Sequence, residues 1–549
     1  MAEIVIKGGT VIDGTGTPGV AADVAIDGGR VTEVGPNLKG DRVLDASGHV
    51  VAPGFIDIHT HYDAQVFWDP QLTPSCFHGV TTVVAGNCGF SIAPTRPEHV
   101  DLIARTLENV EDMNVDALAA GVPWDTFSTF PEYLASVEHS GLGLNFTAYI
   151  GHTALRLFAM GDEAYERAAT AEEIAQMRDI LTEAMEAGAA GFATSFAPTH
   201  RGAGGKPVPS RFAERDEIEG LLEALGEVGR GVAALTPGEL LGVPDLYELQ
   251  PRIGVPFTFT ALLTMPNGAH MKMLDLNNAG WAKGSQVWPQ VSPRPLKFAM
   301  TMTEPFTLNV NPQFAALMTA DVETRRKAYA DPAFREKAIV DWEGMTFGNP
   351  RWETYEIAES TVHPELDGRR LDAIAAERGA SPFDVLMDLA IEEPTMRVGC
   401  MLANDDPEEV AKVLVAEHCA LGLSDAGAHV SQLCDAPQAT DYLGNWVRDK
   451  QLLPLEEAVR RLTSQPADIY GFTDRGRVVP GAWADVVVFD ADTVAPGPLR
   501  RVRDFPANSE RLTADQPIGI RHVLVNGTPI QIDGVHDAEA RPGQLVRPA

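Results

Sequence analysis

Strand and helix patterns alternate through the middle of this chain, and this alternation restricts the folds that it can adopt. Residues 79–89 form a β-branched run that is typical of a buried parallel strand. Thr170 and Glu173 form a capping-box pair that begins an amphipathic helix, and Gly188 ends it. Similar units recur over residues 54–474, so we predict an α/β protein built on a (β/α)8 TIM-like barrel.

The two ends of the chain have a different pattern. Residues 1–53 and 475–549 consist of short segments of alternating polarity, separated by tight-turn pairs such as Asn526-Gly527. Neither end has enough strands to close a core of its own. We therefore predict that they pair into one small β-sandwich domain built from both termini.

The segment 265–352 is weakly patterned, and it is long for a loop of a barrel. We predict that it is an insertion that covers the active site as a lid. A disordered insertion is the alternative interpretation of the same weak pattern.

The composition excludes several classes of partner. The chain has 77 acidic and 43 basic residues, a formal net charge of −34, which disfavours nucleic acid and anionic membrane surfaces. Its beginning lacks the pattern of a signal peptide, and no apolar run reaches the ~18 residues of a membrane span. The 5 cysteines include no C-x-x-C pair, so no disulfide framework is indicated. We expect a cytoplasmic protein. The sequence is also compatible with a homo-oligomer.

Two histidines end the first predicted barrel strand. The apolar run at residues 55–58 leads into His59-Thr60-His61. Alternate side chains of a strand face the same side, so His59 and His61 point together and can hold a divalent metal. Two unrelated histidines at a surface strand end are the alternative that the motif alone leaves open.

The ends of other predicted strands carry the same kind of chemistry. Residues with metal-binding or proton-transferring side chains at these ends are Cys88, His152, His200 and Asp425. In a barrel, the carboxyl ends of all strands lie on one rim, where function is found. Imidazole, thiolate and carboxylate bind zinc, and an aspartate beside a metal-bound water can act as a general base. The sequence therefore predicts a metal site on this rim.

Several segments together resemble the amidohydrolase superfamily and, more narrowly, the N-acyl-D-amino-acid deacylases. They are "GFIDIHTHYD", "GVTTVVAGNCG", "YIGHTALR", "LGLSDAG" and "LTSQPADIYGFTDRGRVVPGAWADVVVFD". The resemblance spans nearly the whole chain, and Asn-Cys-Gly after the second strand is its most specific element. It implies a (β/α)8 barrel with a β-sandwich made from both termini, in agreement with the patterns above.

The resemblance also implies roles for individual residues. His59 and His61 would be metal ligands, and Cys88 would be the bridging thiolate that replaces the carboxylated lysine of many relatives. Asp425 would bind metal and act as the general base. The implied reaction is hydrolysis of a C–N amide bond by a metal-activated water, most like the deacylation of N-acyl-D-amino acids.

The chain departs from the family at the fifth and sixth strands. The family has a histidine at the end of each, but the corresponding segments here read Leu235-Thr236-Pro237 and Leu262-Leu263-Thr264. The family's lysine after the sixth strand and its His-Pro-Arg after the final aspartate are also missing. We therefore expect zinc or another divalent transition metal, with one tightly bound ion per chain and a weak second site.

The predicted partner is a small-molecule amide, and several residues on the same rim are candidates to bind it. His152 and Arg156 match the family's Gly-His-x-x-x-Arg pattern. The other candidates are His200, Arg201 and Arg211, which share a Gly/Pro-rich loop with Lys206, and His429, four residues after Asp425. A guanidinium can grip a carboxylate with two hydrogen bonds. Each of these loop residues could instead be a plain solvated side chain.

Two other functions remain open at this point. The same metal could serve the hydrolysis of a cyclic amide or another small amide. Alternatively, the barrel could have lost catalysis and become a binding protein. The retained Asp425 argues against the second alternative, because a scaffold has no need of a carboxylate at a metal rim.

Overall fold

The computed structural model describes residues 2–345 and 348–549. Its strands, in chain order, are β1 (Ala2–Val11), β2 (Val20–Asp27), β3 (Arg30–Gly35), β4 (Gly40–Asp45), β5 (Val50–Pro53), β6 (Phe55–Asp57), β7 (Val80–Ala85), β8 (Asn145–Gly151), β9 (Gly191–Ser195), β10 (Val232–Thr236), β11 (Phe257–Phe259), β12 (Val287–Val291), β13 (Leu296–Thr301), β14 (Glu356–Glu359), β15 (Arg397–Ala403), β16 (Ala420–Leu421), β17 (Val486–Phe489), β18 (Arg500–Phe505), β19 (Ser509–Thr513), β20 (Ile520–Val525), β21 (Thr528–Ile532) and β22 (Val535–His536).

The α-helices lie mostly between the strands of the barrel. In chain order they are α1 (Val100–Glu111), α2 (Val115–Gly121), α3 (Phe130–Ser140), α4 (His152–Met160), α5 (Ala171–Ala187), α6 (Arg215–Val228), α7 (Val243–Ile253), α8 (Ala269–Trp281), α9 (Pro312–Ala315), α10 (Val322–Ala330), α11 (Pro332–Glu343), α12 (Leu371–Arg378), α13 (Pro382–Glu392), α14 (Pro407–Leu414), α15 (Gln438–Asp441), α16 (Leu455–Leu462) and α17 (Ser464–Tyr470).

A parallel sheet of eight strands forms the centre of the described part of the chain. From one edge to the other, its strands are β6, β7, β8, β9, β10, β11, β12 and β16. Beyond β6 and β16 the two edges meet, because Thr60 and Ala426 form a parallel bridge and His61 N donates to Ala426 O at 2.7 Å. The fold confirms the predicted barrel and places the residues that follow each strand on one rim.

The local patterns explain these elements. Every residue of β7 is buried, as expected for a strand covered by helices on one face and by the barrel interior on the other. Thr170 and Glu173 form the predicted capping box of α5, whose buried face includes Met177 and Leu181. Gly188 ends this helix with a φ of 112°, a backbone conformation that favours glycine.

Strands from both ends of the chain form a second sheet, with nine strands in the described residues. The N-terminal strand β5 pairs antiparallel with the C-terminal strand β17, so that Val51 lies opposite Val488. β1 pairs in parallel first with β4 and then with β5, and the inner side chains share one apolar core. Both termini therefore build this unit, as predicted, although the strands are hydrogen-bonded as one continuous sheet.

The chain from β13 to β15 forms a unit of its own. Its strands β13, β15 and β14 make an antiparallel sheet, and α9 to α13 pack on it. We call this unit the insert. The insert has a separate apolar core, which includes Phe298, Tyr329, Trp342, Phe383 and Leu386.

The insert does not coincide with the lid predicted at residues 265–352. Within that range, α8 and β12 belong to the barrel, and β12 pairs with both β11 and β16. The sequence of β12 hides its strand character, because it contains Pro289 and Gln290 in a run of only five residues. The predicted range also includes residues 346 and 347, which lie outside the described residues.

The hairpin of β18 and β19 packs beside the loop that follows β16. Leu512 N donates to Val430 O at 2.7 Å, which holds that loop against the hairpin. No α-helix in the described ranges combines the length and the apolar character that a membrane span requires.

Candidate metal centre

Four predicted ligands converge at the carboxyl ends of three barrel strands. The Nε2 atoms of His59 and His61 lie 3.4 Å apart. Asp425 Oδ1 lies 3.1 Å from His59 Nε2 and 3.2 Å from His61 Nε2. Cys88 Sγ lies 3.8 Å from His59 Nε2. The structure therefore brings together the whole ligand set that the sequence predicted.

The backbone at two of these ligands adopts an unusual conformation. Cys88 has a φ of 56° and Asp425 a φ of 50°, in the left-handed region that side chains other than glycine rarely adopt. Each follows the end of a strand by a few residues, where the chain turns sharply into the rim. Such backbone strain costs about 1–3 kcal/mol per residue and concentrates at functional sites. Here the strained backbone conformation directs the Cys88 thiol and the Asp425 carboxylate toward the two histidines.

The donor set fits a divalent transition metal. The nearest donor atoms of His59, His61 and Cys88 all lie within 4.8 Å of one another. Two imidazoles, one thiolate and one carboxylate are the ligands that zinc prefers. Both imidazoles present Nε2 to the same point, and the carboxylate oxygen lies between them.

The other ring nitrogen of each histidine faces a fixed acceptor. His59 Nδ1 donates to Gln290 Oε1 at 2.5 Å, and Gln290 Nε2 in turn donates to Thr258 Oγ1 at 3.3 Å. His61 Nδ1 lies 3.2 Å from Glu111 Oε1, although the angle falls short of a hydrogen bond. The acceptor at Nδ1 orients each ring with Nε2 toward Asp425, and a metal would take the place of the Nε2 proton that hydrogen-bonds this carboxylate.

Glu111 and Gln290 were missed by the sequence analysis. Glu111 is the last residue of α1 and is 2% exposed. It follows Ile103 and Leu107 at intervals of four, so it lies on the apolar stripe of its helix. A carboxylate on a buried stripe was the signal that could have identified it. Gln290 lies in β12, the strand that the sequence did not reveal.

The charges of the site favour ionised ligands. Burial opposes ionisation of Asp425, but hydrogen bonds from His59 and His61 hold the pKa of its carboxyl well below the usual range. Burial likewise opposes ionisation of the Cys88 thiol, but hydrogen bonds from the same histidines lower its pKa to about 6. The thiolate is the form that binds metal. Burial raises the pKa of Glu111 to about 8.

His429 and His200 flank this cluster. His429 Nε2 lies 3.9 Å from Asp425 Oδ2, and burial lowers the pKa of the His429 imidazole to about 4. His200 Nδ1 lies 2.6 Å from Ser195 Oγ, and burial lowers the pKa of His200 to about 3. Both rings are therefore neutral at neutral pH, beside the predicted ligands.

The basic residues of the loop after β9 have different positions. Arg201 lines a cavity of about 190 Å³ between the barrel and the insert, and its Nη1 donates to Gly205 O at 3.1 Å. Arg211 Nη1 donates to Pro198 O at 3.2 Å, and its side chain does not line that cavity. Lys206 is exposed. Of the three, Arg201 alone lines the cavity.

The structure does not place His152 and Arg156 where a substrate could reach them. Both side chains are fully buried. His152 Nδ1 and Nε2 lie 2.8 Å from Thr194 Oγ1 and Glu217 Oε1, so neither ring nitrogen is free. Arg156 forms an ion pair with the other oxygen of Glu217. These residues form a buried network that fixes α4 and α6 against the barrel.

The ends of the fifth and sixth strands offer hydroxyls instead of imidazoles. β10 ends at Thr236, as the sequence indicated. β11 ends at Phe259, earlier than the predicted Leu262-Leu263-Thr264, and Thr260 follows it. Thr260 Oγ1 donates to Gln290 Oε1 at 3.1 Å, so it supports the partner of His59.

Comparison with known proteins agrees with this geometry. The sequence profile of the amidohydrolase family matches residues 42–531. N-acyl-D-glutamate deacylase of Alcaligenes xylosoxydans xylosoxydans is 31% identical over 558 residues, which cover 99% of this chain and 96% of that protein.

Two solved structures are similar over the full length. N-acyl-D-glutamate deacylase from Bordetella bronchiseptica, complexed with zinc and a phosphonate mimic of the tetrahedral intermediate, is 30% identical, with a TM-score of 0.69 and coverage of 100% of this chain and 99% of that one. A D-aminoacylase with a binuclear metal centre, described by one-metal activation and second-metal attenuation, is 28% identical, with a TM-score of 0.69 and full coverage of both chains. This chain belongs to the amidohydrolase family and is related over nearly its whole length to N-acyl-D-amino-acid deacylases.

Proposed function

We propose that this chain is a metal-dependent hydrolase of C–N amide bonds that removes the acyl group from N-acyl-D-amino acids. The observation that carries the proposal is the convergence of His59, His61, Cys88 and Asp425 on one point of the barrel rim. The relatives that share the fold over their full length carry names of this activity.

The metal and the residues divide the chemistry between them. A divalent metal held by the four ligands, with zinc as our first choice, supplies Lewis acidity that polarises the amide carbonyl and acidifies water. Asp425 accepts a proton from the water that attacks the amide carbon. It then delivers this proton to the nitrogen as the C–N bond breaks, which releases a carboxylic acid and an amine. Its low pKa keeps Asp425 ionised at neutral pH, the form that both metal binding and proton acceptance require.

The flanking histidines have a supporting role in this proposal. His200 Nδ1 is engaged by Ser195, so Nε2 is the nitrogen left for a substrate oxygen. His429 faces Asp425 Oδ2, the carboxylate oxygen that does not lie between His59 and His61. A neutral imidazole at each place can form a hydrogen bond with a substrate, and it adds no positive charge beside the metal site.

We further propose one firmly bound ion per chain. The four donors are enough for one zinc-like site. At the ends of β10 and β11, a second ion would meet the side chains of Thr236 and Thr260 in the described residues. Hydroxyls are poor ligands for transition metals compared with imidazole, thiolate and carboxylate.

The location that we propose is the cytoplasm. The five cysteines are all buried and unpaired in the part of the chain that the structure describes. Free buried thiols are typical of a reducing compartment.

The experiment that tests the function is a substrate panel. Purified protein is incubated with N-acetyl derivatives of D- and L-amino acids, and with hydantoins and lactams as cyclic amides, with and without added zinc. Zinc-dependent release of free D-amino acids is the expected result. Turnover of cyclic amides alone would replace the proposed substrate class, and no turnover in a zinc-loaded protein would overturn the proposal.

A further inference from the structure

The turn over residues 86–89, which we call the cysteine turn, is confined by the two strands beside it. It follows directly after β7. Gly86 has a φ of 79°, and a Cβ atom there would lie 2.6 Å from the backbone oxygen of Tyr149 in β8. Gly89 has the same φ, and a Cβ atom there would lie 2.9 Å from the backbone oxygen of Ala193 in β9. The cysteine turn therefore packs closely against β8 and β9 on its outer side.

On the inner side, Asn87 attaches the cysteine turn to the chain that follows β6. The Asn87 side chain is 1% exposed. Its Nδ2 donates to Ile58 O and Thr60 O, both at 3.3 Å, and to Val84 O at 3.0 Å. Backbone oxygens can only accept hydrogen bonds, so the nitrogen end of the amide must face them.

Two of these bonds reach the peptide groups that lead into the imidazole ligands. Ile58 O belongs to the peptide group before His59, and Thr60 O belongs to the one before His61. We call residues 59–61 the histidine segment. One amide group thus connects the backbone at both histidines to the residue that directly precedes the thiolate ligand.

Ser424 makes the corresponding bond on the side of the carboxylate ligand. Its side chain is fully buried, and its Oγ donates to His59 O at 2.9 Å. The same Oγ accepts from Ala426 N at 3.2 Å, across the turn that carries Asp425. Each of the two ligands that lie on turns is therefore directly preceded by a side chain that bonds the backbone at the histidine segment.

We infer that Asn87 is a positioning residue that fixes the Cys88 thiolate relative to the two histidines. Ser424 has the same role for the Asp425 carboxylate. Both side chains act through the backbone, and neither is a metal ligand or a catalytic group. The inference rests on the proposed metal-dependent hydrolysis, which needs all four ligands to converge on one point.

The strained backbone explains why such an attachment is needed. The φ of 56° at Cys88 persists only where the surroundings hold it. Without the three bonds from Nδ2, the cysteine turn can relax toward the usual negative φ. This relaxation turns Sγ away from His59 Nε2, which it now approaches at 3.8 Å.

The first test follows thiolate coordination by absorption spectroscopy. Co²⁺ replaces zinc in the full-length protein, and a sulfur-to-cobalt charge-transfer band reports the bond to Cys88 without any turnover. Asn87→Leu has nearly the size of asparagine but no N–H donor. We expect its band per bound cobalt to fall to less than about half of the wild-type value, because only a correctly placed thiolate binds the metal.

Two further variants calibrate this measurement. Cys88→Ala gives the absorbance without a thiolate ligand. Asn87→Ala also lacks the donor and is too small to clash, so it should show the same loss as Asn87→Leu. A full band in either folded Asn87 variant would overturn the inference.

Asn277→Leu is the matched control. Asn277 is also 1% exposed, and its Nδ2 donates to a backbone oxygen, that of His418, at 3.1 Å. His418 lies just before β16, at the end of the barrel opposite the metal centre. Loss of this amide should lower the free energy of unfolding but leave the cobalt band unchanged. An equal loss of the band in Asn277→Leu would overturn the specific role of Asn87.

The second test separates Ser424 from Asn87. Ser424→Ala should keep the charge-transfer band, because the cysteine turn remains attached. In the metal-loaded variant kcat should fall by about tenfold or more with a smaller change in KM, since the displaced group is the base and no substrate contact is lost. Ser424→Thr keeps the hydroxyl and should restore part of the rate. Wild-type kcat in metal-loaded Ser424→Ala would overturn the role of Ser424.

The cobalt band also distinguishes this inference from the proposed function. A band that is present in the wild type and lost in Asn87→Leu would support the positioning role even in a protein that hydrolyses no amide, and that result would overturn the proposed function alone. Amide hydrolysis together with a band that does not depend on Asn87 would overturn the inference alone.

Discussion

Glu111 Oε1 lies 3.2 Å from His61 Nδ1, the ring nitrogen that faces away from Asp425. The buried carboxyl group of Glu111 in this place holds the imidazole so that Nε2 is presented to the metal site. His59 has the same arrangement with Gln290 as its acceptor. The centre is therefore oriented by an outer pair of residues from α1 and β12 as well as by the four ligands.

This arrangement predicts that Glu111→Ala weakens metal binding. Changes to such partners of metal-binding histidines typically cost about 10–100-fold in metal affinity. The dissociation constant for zinc is measured by competition with a chromophoric chelator. Glu108→Ala is the control, since Glu108 lies one turn earlier on α1 and makes no contact with His61. Wild-type affinity in Glu111→Ala would show that Glu111 does not orient the ligand.

His59 and Asp425 should both be required for turnover, but their variants should fail in different ways. Asp425→Asn keeps an oxygen donor and loses the base, so the rate should fall by about 10²–10⁴-fold while most of the metal remains. His59→Ala removes a ligand, so bound metal and activity should fall together. The measurements are steady-state kinetics and elemental analysis of the same samples. Normal turnover by metal-loaded Asp425→Asn would contradict the assigned base.

The metal content of the protein can be predicted and measured without an activity assay. After dialysis against metal-free buffer, elemental analysis should find close to one equivalent of transition metal per chain. The reason is that the described ends of β10 and β11 present threonine hydroxyls rather than imidazoles. Two equivalents that survive dialysis would contradict the one-ion proposal and would point to His200 and His429 as further ligands.

His78 should make stability depend on pH. Its Nδ1 lies 2.8 Å from Thr440 Oγ1, its Nε2 donates to Ala514 O at 2.7 Å, and burial lowers its pKa to about 4. Unfolded histidine has a pKa of about 6.5. The folded pKa is the lower one, so the contribution is fully present above pH ~6.5 and is lost as the pH falls toward ~4.

The loss between pH 7 and pH 5 should be about 2 kcal/mol of unfolding free energy. It is measured by urea denaturation of the wild type and of His78→Gln at both pH values. The variant is expected to be less stable at pH 7 but to lose about 2 kcal/mol less than the wild type on acidification. Identical pH dependence in the two proteins would contradict the assignment to His78.

The ligand set could be predicted because its signals are local. His59 and His61 alternate on one strand, and Cys88 and Asp425 follow strands that barrel topology brings to the same rim. The barrel strand β12 could not be predicted in the same way. The side chain of Gln290 bonds His59 inside the barrel, so a polar residue interrupts β12. The strand therefore lacks the continuous apolar run by which a buried strand is recognised.

The substrate side was harder to predict because it depends on distant partners. His152 matched a family pattern, yet Glu217, which occupies its Nε2, lies 65 residues further along the chain. Arg201 and Arg211 look alike in the sequence, and the packing of the insert decides which of them lines a cavity. Whether the polar atoms of a side chain already have partners depends on tertiary contacts, and this leaves no periodic pattern in the sequence.

The pairing of β5 with β17 has a consequence for how the protein is made. On the ribosome, β5 emerges more than four hundred residues before Val486–Phe489, its partner strand. During that interval the edge of β5 is unpaired, and exposed strand edges promote aggregation. The N-terminal strands therefore remain without this partner strand until the entire barrel has been synthesised. Slowing initiation or lowering the growth temperature should increase the soluble yield more than extending the time of induction.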